Sequence, residues 1–206
     1  MNWDALQRAA RTKGYLVFAM DQAQTPVLTQ PGPWGSAYDG YCIGLAATWI
    51  AWQYDGKAFP VDGSKVCDYP PWQASKAQNF SDAIKRTHWS DGWKAAVGEF
   101  QMTPSDGLRA KRDKAATGAF VRSIVALAYG CYGISIRGSG GAHAIAARHG
   151  RDGRFHLFDS NYGQFAVQGP DAFKAMFDWY WSQTSYPGSM ETFCGVVGIK
   201  PPINKG

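Results

Sequence analysis

The chain has no Cys-x-x-Cys pair, and its four cysteines, at positions 42, 67, 131 and 194, stand in no Cys/His spacing suited to zinc. No metal and no cofactor is therefore expected. It has no basic-then-apolar signal segment, and no apolar run approaches the length that spans a bilayer. The thiols are accordingly read as reduced, although an even number of cysteines would allow two disulfides. Residue 2 is Asn2, which excludes an N-terminal myristoylation start. There is no internal repeat, no low-complexity linker and no long block of like charge. The net charge of +5 is mild. It gives no reason to expect a nucleic-acid partner, and contact with a membrane surface stays unsupported.

What the chain does have is enough apolar material for one core. Its 206 residues are 45% hydrophobic and 15% aromatic, with nine tryptophans, as in a folded globular protein. A single domain over residues 1–206 is expected, with 1–35 as an N-terminal arm or a propeptide-like segment.

Local patterns predict a helix over 3–12 and a short strand within 14–20. A loop follows over 21–41, broken by Pro26, Pro31, Gly32, Pro33, Gly35 and Gly40. Residues 42–54 (CIGLAATWIAWQY) read as a helix apolar nearly all round, hence a buried one. Amphipathic helices are predicted over 72–89 and 91–100 and a further helix over 115–129, with a charged loop at 101–113. Beyond Gly130 the pattern turns to strands: 132–137, 142–149, 154–160 and 193–200, with one further helix over 171–181. Helices first and antiparallel strands later make an α+β fold.

Cys42 stands between a glycine-bearing loop and the buried helix. At a helix start, free backbone N–H groups and the positive end of the helix dipole favour a thiolate. The same N–H groups can receive the oxyanion of a tetrahedral intermediate. A lone cysteine is more often a small buried core residue, so a nucleophile needs a base and an orienting acid. Gly150-Arg151-Asp152-Gly153 supplies a hairpin turn. Pairing symmetric about its centre sets His143 opposite Asp159 or Ser160. An aspartate accepting from one imidazole nitrogen leaves the other to face a thiol. The remaining histidines fit less well. His149 falls at the turn and reads as exposed, His156 alternates out of phase with Asp159, and His88 reads as a surface or capping group.

Gly40-Tyr41-Cys42 ahead of an apolar helix, Ala142-His143-Ala144 on a strand, and Phe158-Asp159-Ser160-Asn161-Tyr162-Gly163-Gln164-Phe165 together resemble the YopT/AvrPphB family of bacterial effector cysteine proteases. The acid segment carries the likeness best; Ser160 and Gln164 depart from the family's Pro and Glu. The resemblance implies a papain-like fold, with the buried Cys-bearing helix packed on an antiparallel sheet. It also implies a Cys42-His143-Asp159 triad in that chain order and hydrolysis of a specific protein. Family substrates include prenylated small GTPases near a basic tail, and a protein kinase. The resemblance further implies synthesis in a bacterial cytoplasm, export without a signal peptide by a specialised secretion system, and action inside a target cell. A cognate inhibitor, immunity protein or chaperone is a further partner of that kind.

One departure lies beside the nucleophile. The family places an Asn or Gln a few residues before the cysteine as an oxyanion donor, whereas this chain has Ser36 and Ala37 there. Ser36, Gln30 and the backbone N–H of Cys42 are the candidate donors. Two alternatives stand beside the protease. One is a cell-wall amidase or endopeptidase toxin of the NlpC/P60 type, whose third member is usually histidine. The other is a non-catalytic binding module on a papain-like fold.

Overall fold

The computed structural model describes residues 3–24, 41–59, 61–62, 65–66, 69–83 and 88–202. Its centre is a seven-stranded antiparallel sheet in the order β1-β8-β7-β6-β5-β9-β4. The strands are β1 (Leu16–Ala19), β4 (Thr103–Arg112), β5 (Gly130–Gly138), β6 (Gly141–His149), β7 (Arg154–Asp159), β8 (Gly163–Gln168) and β9 (Phe193–Lys200). A separate two-stranded ribbon pairs β2 (Val61–Asp62) with β3 (Lys65–Val66). The helices are α1 (Trp3–Thr12), α2 (Cys42–Tyr54), α3 (Tyr69–Ala83), α4 (Asp91–Gly98), α5 (Gly118–Val125) and α6 (Pro170–Gln183). None is long and apolar enough to cross a membrane, among the described residues.

Because side chains alternate across a strand, β6 feeds two cores. Ala144 and Ala146 face a cluster built on α2 and α4, with Leu45, Trp49, Ile50, Trp93 and Val97. Ile145 and Ala147 face a second cluster that takes Leu6 of α1, Val121 of α5 and Phe173, Met176, Phe177 and Tyr180 of α6. The sheet is thus covered on both faces. The small side chains on β6 let α2 lie close against the strands, and the Trp49 ring stacks on Phe158 at 5.4 Å and 8°.

The α2 helix has no side-chain cap of its own at Tyr41. Its first-turn N–H at Gly44 is instead satisfied from α3, by the Gln78 side-chain oxygen at 3.1 Å. A Cβ on Gly44 would stand 2.0 Å from the Ala74 carbonyl oxygen. Glycine there is the condition for α2 and α3 to touch, and that contact helps to fix where Cys42 starts its helix.

Two expectations need correction. The charged stretch 101–113 is not a loop: residues 103–112 form the edge strand β4, paired with β9. Pro104, Gly107 and a run of charges are loop-like signals that an edge strand also tolerates. The hairpin register also differs. His149 pairs with Phe155 and Ala146 with Phe158. Continued along the ladder, that register puts Ile145, not His143, opposite Asp159, because Gly150 N–H closes the turn on the Arg154 carbonyl at 2.8 Å and displaces its centre. His143 and Asp159 still share a face of the sheet, as diagonal neighbours within reach of long side chains.

Candidate active site

Cys42 opens α2, His143 sits near the start of β6 and Asp159 ends β7. His143 Nε2 lies 2.9 Å from Asp159 Oδ1, and the pair is buried, Asp159 completely. Cys42 packs against the core cluster that holds Ala144 of β6, and the same imidazole is the charge that acts on its thiol most strongly. With Nε2 held by the carboxylate, Nδ1 is the nitrogen left for sulfur.

The charge states follow from this arrangement. Burial raises the pKa of the Cys42 thiol, but the facing His143 and the polar surroundings at His143 and Ala144 outweigh it, and the net direction is down. Burial disfavours the His143 cation, yet Asp159 and Cys42 together push its pKa up to about 10. Asp159 is drawn down despite burial by His143 and by its hydrogen bonds. Both shifts favour the charged forms, thiolate and imidazolium, over those of the isolated groups. The other two described cysteines behave oppositely, since burial pushes Cys131 and Cys194 each up to about 12.

Asp159 has more partners than its histidine. Oδ1 also accepts from the Asn161 backbone N–H at 2.8 Å. Oδ2 accepts from the Tyr186 hydroxyl at 2.7 Å and from the Tyr180 hydroxyl. Asn161 Nδ2 donates to Tyr186 in turn, and the Tyr186 ring lies 5.3 Å from the His143 ring. These donors fix the carboxylate so that one lone pair points at His143. Neither tyrosine was suggested by sequence. Tyr180 falls on the buried stripe of α6 with Phe173, Met176 and Phe177, a position that marks burial but not a hydroxyl partner. Tyr186 follows that helix with no periodic signal.

Gln22 was missed as well. It lies in a short 3-10 turn (Gln22–Gln24) after β1, twenty positions ahead of Cys42 in the sequence. Its side-chain oxygen accepts from the Tyr41 backbone N–H at 3.1 Å, and its Nε2 donates to Asn161 Oδ1 at 2.6 Å. Its own N–H donates to the Ser160 carbonyl at 2.8 Å. One amide thus fastens the residue before the thiol to the residues after the acid. Of the oxyanion candidates read from sequence, Gln30 and Ser36 lie outside the described residues.

The remaining histidines take structural places. His156 Nδ1 stands 2.9 Å from Gln164 Nε2, and Gln164 Oε1 accepts from Trp49 Nε1 at 2.8 Å. Burial and the charges of Arg148 and Arg154 push His156 down to about 4, which keeps it neutral as an acceptor. His149 is half-buried rather than exposed, stacked on Phe155 at 4.2 Å. His88 is exposed at the α4 start, its Nδ1 2.8 Å from Ser90 Oγ. Among the described residues, no group of three or more His, Cys, Asp or Glu side chains could hold a metal ion.

The fold has a solved counterpart. The crystal structure of the Pseudomonas avirulence protein AvrPphB aligns over 91% of this chain and 97% of that one, with a TM-score of 0.62 and 17% sequence identity. Residues 127–192 match the Peptidase_C58 family, described as Yersinia/Haemophilus virulence surface antigen. The resemblance to YopT/AvrPphB-type effector cysteine proteases holds. The architecture is accordingly the papain-like one of AvrPphB. The segment matched to the YopT/AvrPphB-type family contains His143, Asp159, Tyr180 and Tyr186, whereas Cys42 and Gln22 lie ahead of it. No curated protein sequence matches the chain. Taken together, the likenesses support a cysteine peptidase of the virulence-effector kind.

Proposed function

We propose that this protein is a cysteine endopeptidase that uses Cys42, His143 and Asp159 to hydrolyse a specific protein of a target cell. The observation that carries the reading is a single imidazole held by the Asp159 carboxylate on Nε2 at 2.9 Å and placed so that its charge acts on the thiol that opens α2. His143 Nδ1 takes the thiol proton, and the Cys42 thiolate attacks the peptide carbonyl carbon. The carbonyl oxygen becomes an oxyanion that the Cys42 backbone N–H receives at the helix start. The C–N bond then breaks as His143 passes its proton to the leaving amine. Water attacks the thioester, gives its proton to His143, and the departing sulfur restores the thiolate–imidazolium pair. Asp159 holds the ring in one orientation and stabilises its charge throughout.

An aspartate on His143, rather than a histidine, favours this reading over the NlpC/P60-type amidase. Likeness to the virulence family supports the wider proposal of export by a specialised bacterial secretion system and action inside another cell, with a chaperone or inhibitor as companion. Alkylation tests the nucleophile. Iodoacetamide and E-64 are expected to modify Cys42 much faster than Cys131 and Cys194 at neutral pH, read by peptide mass mapping. Cys42→Ala is expected to abolish proteolysis while leaving the circular dichroism spectrum unchanged. Equal labelling of all thiols, or full activity of Cys42→Ala, overturns the mechanism.

A further inference from the structure

The residues just ahead of His143 form one wall of an open cavity of about 700 Å³. Its lining includes His88, Trp89, Arg137, Gly141, Ala142 and Thr192. The geometry points to this cavity as the substrate-selecting subsite, with Arg137 receiving an acidic side chain one or two residues from the scissile bond. The inference rests on the protease reading and names the substrate class of that same site.

Position comes first. Cys42 packs against the core cluster that holds Ala144 of β6, and the cavity begins at Ala142. Two strand residues span about 7 Å. An extended substrate advances about 3.4 Å per residue. A chain whose carbonyl lies at Cys42 therefore brings a side chain to the cavity within one or two positions.

Charge decides what enters. Arg137 and Ala142 are paired across the β5–β6 ladder, so the guanidinium stem stands beside the wall nearest the triad. Arg137 lies over the Phe193 ring at 5.4 Å, and Trp89 packs on that same ring at 5.9 Å. No carboxylate pairs with the guanidinium among the described residues, and the lining holds no Asp or Glu. The acidic residues nearby are turned elsewhere. Glu191 accepts from the Gly188 N–H at 2.7 Å, and Asp91 accepts from the His88 N–H at 2.7 Å. Thr192 is clamped to the end of β5 by two bonds to the Arg137 carbonyl, from its N–H at 3.0 Å and its hydroxyl at 3.2 Å. A guanidinium held on an aromatic face loses little freedom on binding, and its planar fork matches a carboxylate with two parallel hydrogen bonds. A lysine or arginine of a substrate would meet a like charge there. The basic tails cleaved by some relatives do not suit this cavity.

Two measurements test the assignment. Wild-type protein is incubated with a proteome-derived peptide library and the cleaved bonds are aligned. In parallel, Cys42→Ala protein is titrated onto an array of synthetic peptides that vary one position at a time, which reads binding without turnover. Asp or Glu is expected to be enriched at one fixed position within two residues of the cleaved bond and on the array. Arg137→Glu should reduce the preference about tenfold or more and turn it toward Lys and Arg, while Arg137→Lys keeps the acidic preference in weaker form. Absence of acidic enrichment in both measurements, or a preference unmoved in a folded Arg137→Glu protein, overturns the subsite. Loss of all cleavage with an unlabelled Cys42 counts against the protease itself, and the array still decides the cavity.

Discussion

The Cys42 thiol shifts down because His143 faces it, the His143 imidazole shifts up because Asp159 and Cys42 both face it, and this gives the site its own pH range. The thiolate forms as pH rises through a Cys42 pKa below the ordinary thiol value, and the imidazolium is lost as pH rises through about 10. The rate of hydrolysis is therefore expected to be bell-shaped, with its acid limb set by Cys42 and its alkaline limb by His143. Stopped-flow alkylation across pH should show the acid limb without any substrate, and a thiol titrating near the ordinary value would contradict it. Tyr186→Phe removes one donor from the Asp159 carboxylate and the acceptor of Asn161. Losing a hydrogen bond to a buried charged group costs about 1.5–3 kcal/mol. Lower denaturant midpoints are expected, together with a fall in kcat that exceeds any change in KM. Asp159 could be singled out because it stands in a short, distinctive stretch, and His143 because the hairpin turn at 150–153 sets it near that stretch. Tyr180, Tyr186 and Gln22 could not be, because each meets the site through a partner far off in sequence, and nothing local distinguishes a buried hydroxyl with a carboxylate partner from one without.

Among the elements, α2 is the one its own residues describe most fully. An apolar surface on every side announced a buried helix, and Trp49, Ile50 and Leu45 are indeed enclosed. Its position was not legible, because α3 sets it through Gly44 and Gln78. Gly44→Ala places a methyl group against the Ala74 carbonyl, an overpacking that costs about 1–3 kcal/mol. Calorimetry is expected to show a lower Tm, and the displaced helix start should slow alkylation of Cys42. The strand β4 failed to announce itself for a different reason. Edge strands carry the Pro, Gly and charges that keep sheets from pairing with one another, and the same residues punctuate loops. In β8, Gly163 follows directly on the acid loop. It is also the first paired residue of the strand, with φ of 111° and the space for a Cβ taken by the Phe18 carbonyl at 2.1 Å.

Over the whole molecule, residues 3–24 of the N-terminal segment contribute to the core, the sheet and the site. Leu6 and Ala10 are in the core beneath α6, β1 is the edge partner of β8, and Gln22 joins the start of α2 to the acid loop. Deletion of residues 1–24 is expected to expose the outer edge of β8 and leave protein that is aggregated or inactive, as judged by size-exclusion chromatography and E-64 labelling. An active, monodisperse truncation would show that this segment is dispensable after all.

About a hundred residues separate the thiol from the imidazole and the carboxylate, and a helix brings the first to its place while the sheet brings the other two. Until the sheet has closed between α2 and α6, Cys42 is an ordinary thiol with no cation beside it. Its reactivity is therefore a property of completed folding. A chain held extended, or caught with only its helices formed, carries a harmless cysteine, and the appearance of fast E-64 labelling during refolding should coincide with the last step of assembly rather than with the formation of α2.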